Sequence, residues 1–257
     1  MTDLLSVGSG GLVGFALGLL GGGGSILAVP LLIYVVGVRS THVAIGTSAL
    51  AVAVNAFANL IAHSRAGTVK WPCAMTFAVS GVAGALAGAQ LGQLVDGKKL
   101  LFLFGIVMLA VAAAMFSPRA SQGDPEVRMD RTIALRLVAI GLLVGALSGF
   151  FGIGGGFLIV PAIMLGSGMA TINAVGSSLV SVGTFGLATA VSYALAGMVD
   201  WRIAGLFILG GIAGGLLGTA LAKRLSERRA VLTRLFAGVV VAVAAFILWR
   251  SAPGFFG

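Results

Sequence analysis

No charged residue occurs between Asp3 and Arg39. That interval is longer than the ~20 apolar residues needed to cross ~30 Å of hydrocarbon. The pattern recurs along the chain: Asp, Glu, Lys and Arg fall in short clusters between apolar runs of similar length. Charged residues make up 9% of the 257, where a soluble domain carries about a quarter. Hydrophobic residues make up 59%, and mean hydropathy is +1.13. These features predict an all-α polytopic membrane protein with the lipid bilayer as its surroundings. The first run lacks a basic stretch before it and a cleavage site, so it reads as a retained segment and not a signal peptide. The formal charge of +9 is assigned to residues flanking membrane spans, and no nucleic-acid partner is expected. The single cysteine, Cys73, rules out an intramolecular disulfide and a multi-cysteine metal site. No metal or other cofactor is called for.

The chain is an internal duplication. Gly14 aligns with Gly145, Pro30 with Pro161, and the glycine run 21–24 with 152–156. After a one-residue shift, Gly46-Thr47-Ser48 falls on Gly176-Ser177-Ser178, and Gly67 to Trp71 on Gly197 to Trp201. Gly81, Gly84 and Gly88 fall on Gly211, Gly214 and Gly218. The expected organisation is an N-terminal repeat (1–116), a cytoplasmic linker (117–131) holding Pro118, Gly123 and Pro125, and a C-terminal repeat (132–257). Each repeat holds a glycine-interrupted apolar pair, at 7–20 and 26–37 and again at 138–151 and 157–167. Three full spans follow, at 43–63, 72–95 and 98–116, then 173–195, 202–222 and 232–249.

The pieces beside the glycines are too short to cross a bilayer alone, so each pair is either one interrupted helix or a hairpin that enters and returns on one side. Basic residues separate the two. If each pair crosses once, the sixteen Lys and Arg divide eight against eight. If each pair returns, the repeats are inverted. Arg65, Lys70, Arg119, Arg128, Arg131, Arg136, Lys223, Arg224, Arg228, Arg229 and Arg234 then share one side. The other side keeps Arg39, Lys98, Lys99, Arg202 and Arg250. Eleven against five fits the positive-inside rule and favours two inverted repeats, each a re-entrant helix pair plus three transmembrane helices, with both termini outside.

Adjacent glycines hold a helix poorly, each costing ~1 kcal/mol against alanine. A break is therefore expected at 21–25 and at 152–156, with a restart capped by Ser25 or begun at Pro30. A helix N-terminus presents free N–H groups and the positive end of a dipole, and so attracts anions. Paired Gly/Pro-interrupted segments in two halves point to a transporter's central site. No acidic or basic residue lies in mid-span, so an anion would be held by backbone N–H groups, hydroxyls and amides. The substrate-binding candidates are Gly22, Gly23, Gly24, Ser25, Thr47, Ser48, Asn55, Gly154, Gly155, Gly156, Ser177 and Ser178, with Asn59, Ser181 and Thr184 nearby. Asn55 and Asn59 lie one turn apart, whereas their counterparts are Phe185 and Thr189, so the site is asymmetric. The spaced glycines at 81, 84 and 88 and at 211, 214 and 218 read as close helix packing.

The motif Gly21-Gly22-Gly23-Gly24-Ser25-(x)4-Pro30, its repeat Gly152 to Gly156-(x)4-Pro161 and the following Gly-Thr/Ser-Ser elements resemble the TauE/SafE family of membrane permeases over the whole chain. The resemblance implies a multi-pass protein of the bacterial inner membrane and a small anionic substrate. Sulfite export is the expected activity. An organosulfonate permease, for a substrate such as sulfoacetate, and an anion channel are the alternatives. The motif does not identify the substrate. An enzyme is not expected: Gly145-Ala146-Leu147-Ser148-Gly149 has the wrong spacing for an intramembrane serine protease, and the chain lacks metal ligands. His42 is expected to cap a helix or lie at the interface, and His63 to be interfacial. Cys73 is expected to pack as a small apolar residue, and Trp71 and Trp201 to anchor spans at the interface. Glycine-rich outer faces leave a homodimer open.

Overall fold

The computed structural model describes residues 2–115, 124, 127, 129–152, 156–224, 238 and 241–249. Helix α1 spans Thr2–Leu20 and runs into a 3-10 segment, Gly21–Leu27. The short helix α2, Ala28–Leu31, and a π-turn, Leu32–Val36, follow. The remaining helices are α3 (Thr41–Arg65), α4 (Trp71–Leu94), α5 (Gly97–Met115), α6 (Arg131–Phe151), α7 (Gly156–Ser167), α8 (Thr171–Leu195) and α9 (Trp201–Arg224). Residues 241–249, here α10, are also helical. Among the described residues, six helical stretches are long and apolar enough to cross a membrane: Thr2–Val36, Thr41–Arg65, Trp71–Leu94, Arg131–Phe151, Thr171–Leu195 and Trp201–Leu221. The protein is a membrane protein built of helices, as the charge pattern requires.

Polar side chains punctuate the helices. The Ser40 hydroxyl accepts from the Val43 N–H (3.4 Å) at the start of α3, and Asp130 Oδ1 from the Ile133 N–H (2.6 Å) at the start of α6. Asp200 Oδ1 accepts from the Ile203 N–H (3.0 Å) at the start of α9. His42 is therefore not the cap of α3. His63, in the last turn of α3, is buried against protein, its Nδ1 3.1 Å from Thr68 Oγ1. Cys73 is buried in the apolar core, while Trp71 and Trp201 are exposed at helix starts. Asp124, in the linker, bridges to the α7–α8 turn: its N–H donates to Gly168 O (2.9 Å), and its carbonyl accepts from the Ala170 N–H (3.1 Å).

Glycine stripes set the packing. A Cβ at Gly10, Gly14 or Gly18 of α1 would fall on the backbone of Phe207, Gly211 or Gly215 of α9. A Cβ at Gly145 or Gly149 of α6 would fall on Gly81 or Ala85 of α4. Backbone meets backbone, the arrangement small residues permit where lipid supplies no hydrophobic drive between helices. The order of contacts gives directions. Both α1 with α9 and α6 with α4 ascend together. So do α3 and α9, since Asn55 lies on Gly211 and Asn59 on Gly215. Helices α3 and α8 run oppositely: Gly46 meets Met198, Gly183 meets Phe57, and Gly176 meets Thr68. Helix α4 runs with α8, since Lys70 meets Ser177 and Gln93 meets Ser192, so α1, α3 and α9 point one way and their counterparts α6, α8 and α4 the other.

The two long helices of the first half that follow one another, α1 and α3, point the same way, which requires a return between them. Residues 21–36 supply it. Gly21 has φ +67°, and Gly24 comes to lie against Ala16 and Leu17, so the chain folds back along α1. The second half repeats this: Gly152 has φ +66°, and Gly166 packs on Leu137 and Ile140 of α6. The break expected across 21–25 is thus a single left-handed residue, the conformation glycine adopts without a Cβ clash. The other glycines wind into the tighter 3-10 helix. Ser25 is not a helix cap; its hydroxyl donates back to Gly22 O (2.9 Å). Pro30 falls in the first turn of α2, as its missing N–H favours, whereas Pro161 lies inside α7.

Candidate functional site

Each hairpin tip docks on the first long helix of the other half. At Gly21 the Cβ position meets Val175 of α8, and at Gly152 it meets the counterpart residue Ile45 of α3. The two tips also meet each other. The Cα atoms of Gly22 and Gly156 are so close that a Cβ on either would strike the other's backbone, and Val182 Cγ2 closes the same spot. Gly22, Gly23, Gly24, Ser25 and Gly156 are all buried. Gly154 and Gly155 lie outside the described residues.

The two hydroxyls of each Thr/Ser-Ser pair do different things. Thr47 Oγ1 on α3 accepts from the Asp200 N–H (2.9 Å), and Ser177 Oγ on α8 accepts from the Lys70 N–H (2.9 Å). These equivalent bonds tie each long helix to the turn that starts the fourth helix of the opposite half. The second hydroxyl faces a tip. Ser178 Oγ donates to Val175 O (2.8 Å) and accepts from the Gly22 N–H at 3.4 Å, a long bond. Ser48, its counterpart, donates to Ile45 O (2.9 Å), the residue against Gly152.

The amides stand apart from the tips, between α3, α9 and α1. Asn59 Nδ2 donates to Asn55 O (2.9 Å), and Asn59 Oδ1 accepts from Thr219 Oγ1 (3.1 Å). Asn55 is fully buried, and neither its Nδ2 nor its Oδ1 has a hydrogen-bond partner. The same holds for Ser181 Oγ on α8. Thr184 bonds back to Val180 O and Ser181 O in its own helix. In the second half Phe185 replaces Asn55, stacking on Phe77 with centroids 6.0 Å apart. The asymmetry expected from the sequence is thus a change from amide to aromatic ring at one packing notch. Tyr193 and Thr219 were passed over in the sequence. Alignment of Tyr193 with His63 was the signal available for the first.

No Asp, Glu, Lys or Arg is buried among the described residues. The interior therefore offers backbone N–H groups, hydroxyls and amides in an apolar setting, and no fixed charge. An irregular, glycine-lined backbone survives at membrane depth only when enclosed by protein or facing a wet path.

Membrane-length helices, a two-fold repeated plan and paired glycine turns meeting in a charge-free interior define a polytopic membrane transporter. The chain belongs to the TauE/SafE family: the model described as "Sulfite exporter TauE/SafE" matches residues 6–247. It is 55% identical over 251 residues to a "Probable membrane transporter protein" of Xylella fastidiosa strain 9a5c, covering 96% of this chain and 95% of that one. Its counterpart in strain Temecula1 is 54% identical over 253 residues, with the same coverage. Bacillus subtilis YunE, a "Probable membrane transporter protein", is 28% identical over 243 residues, covering 86% of this chain and 88% of YunE. No solved structure matches.

Proposed function

We propose that the protein exports a small sulfur oxyanion, sulfite first, across the bacterial inner membrane, and that the anion passes where the two hairpin tips meet. The observation that carries this reading is the contact of Gly22 with Gly156 in an interior without buried charge. An anion between the tips would replace the long Gly22 N–H to Ser178 bond and draw on glycine N–H groups and the Ser48 and Ser178 hydroxyls. Substrate contact at the tips is proposed for the glycines of both runs and for Ser25, Ser48 and Ser178, and further along the path, between α3, α9 and α1, for Asn55. Thr47 and Ser177 shape the path by holding the opposite turns. The tips abut in this structure, so passage requires them to part.

The halves are read as inverted repeats, 1–116 and 132–257 about the linker 117–131, and each hairpin as re-entrant. Three features support this: the opposed directions of equivalent helices, the return at 21–36, and the eleven-to-five division of basic residues. The side with more basic residues, including the linker, is then cytoplasmic. Export needs no coupling ion: an outgoing monoanion gains ~2.3 kcal/mol per 100 mV in an inside-negative cell. The family's description as sulfite exporters favours sulfite over organosulfonates. The test is flux from proteoliposomes at an imposed potential without proton or sodium gradients, with sulfite, sulfoacetate and chloride compared. Saturable, voltage-driven sulfite flux is expected. Flux of chloride alone, or none, refutes the substrate assignment.

A further inference from the structure

We infer that Tyr193 and His42 form a second oxyanion-binding station, at the mouth of the path on the face that carries Thr2 and the α8–α9 turn. The inference rests on the transport reading above. Tyr193 lies near the end of α8 and is fully buried, yet its hydroxyl has no hydrogen-bond partner. His42, in the first turn of α3, faces it with ring centroids 6.3 Å apart, and its buried Nδ1 also lacks a partner. Both flank the approach to a tip: Gly46 packs on Tyr193, and Ile45, one turn from His42, packs on Gly152.

The duplication shows what is unusual here. Tyr193 and Met198 are the counterparts of His63 and Thr68. The backbone is the same at both sites: the Met198 N–H donates to Tyr193 O (2.8 Å), and the Thr68 N–H to His63 O (3.2 Å). At the His63 mouth, Thr68 Oγ1 lies 3.1 Å from His63 Nδ1, so that ring is held internally. At the other mouth methionine replaces the threonine and offers the phenol nothing. A buried hydroxyl without a partner is costly and is expected to have a ligand in part of the working cycle.

A phenol O–H and an imidazole N–H are both donors, His42 through Nδ1 in the Nδ1–H tautomer. Two donors suit an oxyanion with adjacent oxygens, and the nearest carboxylate in the α8–α9 turn, Asp200, is engaged at Oδ1 by the Ile203 N–H. The station differs from the tips because it uses no backbone N–H and because the Tyr193–His42 pair has no equivalent at the His63 mouth. It therefore sets apparent affinity from one face.

The test compares sulfite uptake into right-side-out and everted membrane vesicles carrying wild type, Tyr193→Phe or His42→Gln. The expected result is a KM about tenfold higher from the Thr2 face in Tyr193→Phe, with KM from the opposite face unchanged. His42→Gln, which keeps a donor, should retain most of the affinity. Because Tyr193→Phe deletes an unpartnered hydroxyl, its melting temperature should hold or rise. Unchanged KM at both faces overturns the station. So does an equal rise at both faces with a lower melting temperature, which would mark a packing role. If wild type moves no sulfite, the transport reading fails separately. Calorimetry of sulfite binding to purified wild type and Tyr193→Phe then decides: weaker binding in the variant supports the station, and equal or no binding overturns it.

Discussion

Gly14→Ala tests the packing on which the rest depends. Gly14 faces Gly211 so closely that a new Cβ would lie 2.5 Å from the Gly211 C and Cα atoms, against 3.4–4 Å for ordinary contact. Neither partner is a side chain that can turn aside. Helices α1 and α9 must part by ~1 Å, and overpacking of that kind costs ~1–3 kcal/mol. The same substitution at Gly8, where nothing lies within 4 Å, meets no obstacle and gains up to ~1 kcal/mol of helix propensity. The two variants each add one methyl group to the same helix, yet should differ by ~1–4 kcal/mol, with Gly14→Ala the less stable. Denaturant titration of the purified protein in mild detergent, followed by tryptophan fluorescence, measures both. Equal stabilities, or a Gly14→Ala protein as stable as wild type, would refute close α1–α9 contact and the helix directions drawn from it.

Thr47→Val and Ser177→Ala should each cost ~1–3 kcal/mol by stranding the Asp200 or Lys70 N–H, with faster hydrogen exchange at that amide alone. Gly197→Ala, at φ +72° with no atom within 4 Å, isolates the left-handed backbone cost of ~1–2 kcal/mol. Gly21→Ala should cost more in the same thermal melt, because Val175 Cγ1 stands 2.7 Å from the new Cβ. Asn55→Leu, similar in shape, should raise the melting temperature by removing an unpartnered amide while lowering sulfite flux. A fall in stability would show that the amide is satisfied in the folded protein.

Most of the architecture was legible because its causes are local or compositional. Charge-free intervals mark most spans, and the repeat gives the correspondence of elements. Helix α6, read as a piece too short to cross, instead begins at Arg131 and runs 21 residues, because arginines at its start extend the helix beyond the apolar run. The role of Gly81 and Gly211 in packing follows from their spacing on a helix face. The hairpins were harder to read. Four glycines signal a break, but a single left-handed residue, Gly21, turns the chain, and Gly22–Gly24 wind on regularly. Nothing in composition distinguishes those outcomes, because glycine tolerates both. The Thr47-Ser48 and Ser177-Ser178 pairs read as uniform polar signals. Neighbouring residues on a helix point about 100° apart, so one hydroxyl of each pair reaches a distant turn and the other a tip. The packing partners of His42 and His63 were not legible for a related reason. Their surroundings come from α8 and the α3–α4 turn, which helix periodicity on α3 does not reveal.

The central claim is that the anion crosses where the two glycine turns meet. Sulfite efflux from proteoliposomes at a fixed inside-negative potential tests it most directly, with wild type compared with Gly23→Leu and with Gly8→Leu as the control on the open face of α1. All three proteins must first elute as single folded species. The account predicts efflux from wild type and Gly8→Leu, and its loss in Gly23→Leu. Undiminished efflux from a folded Gly23→Leu protein would place the path elsewhere and leave the glycine runs a purely structural role.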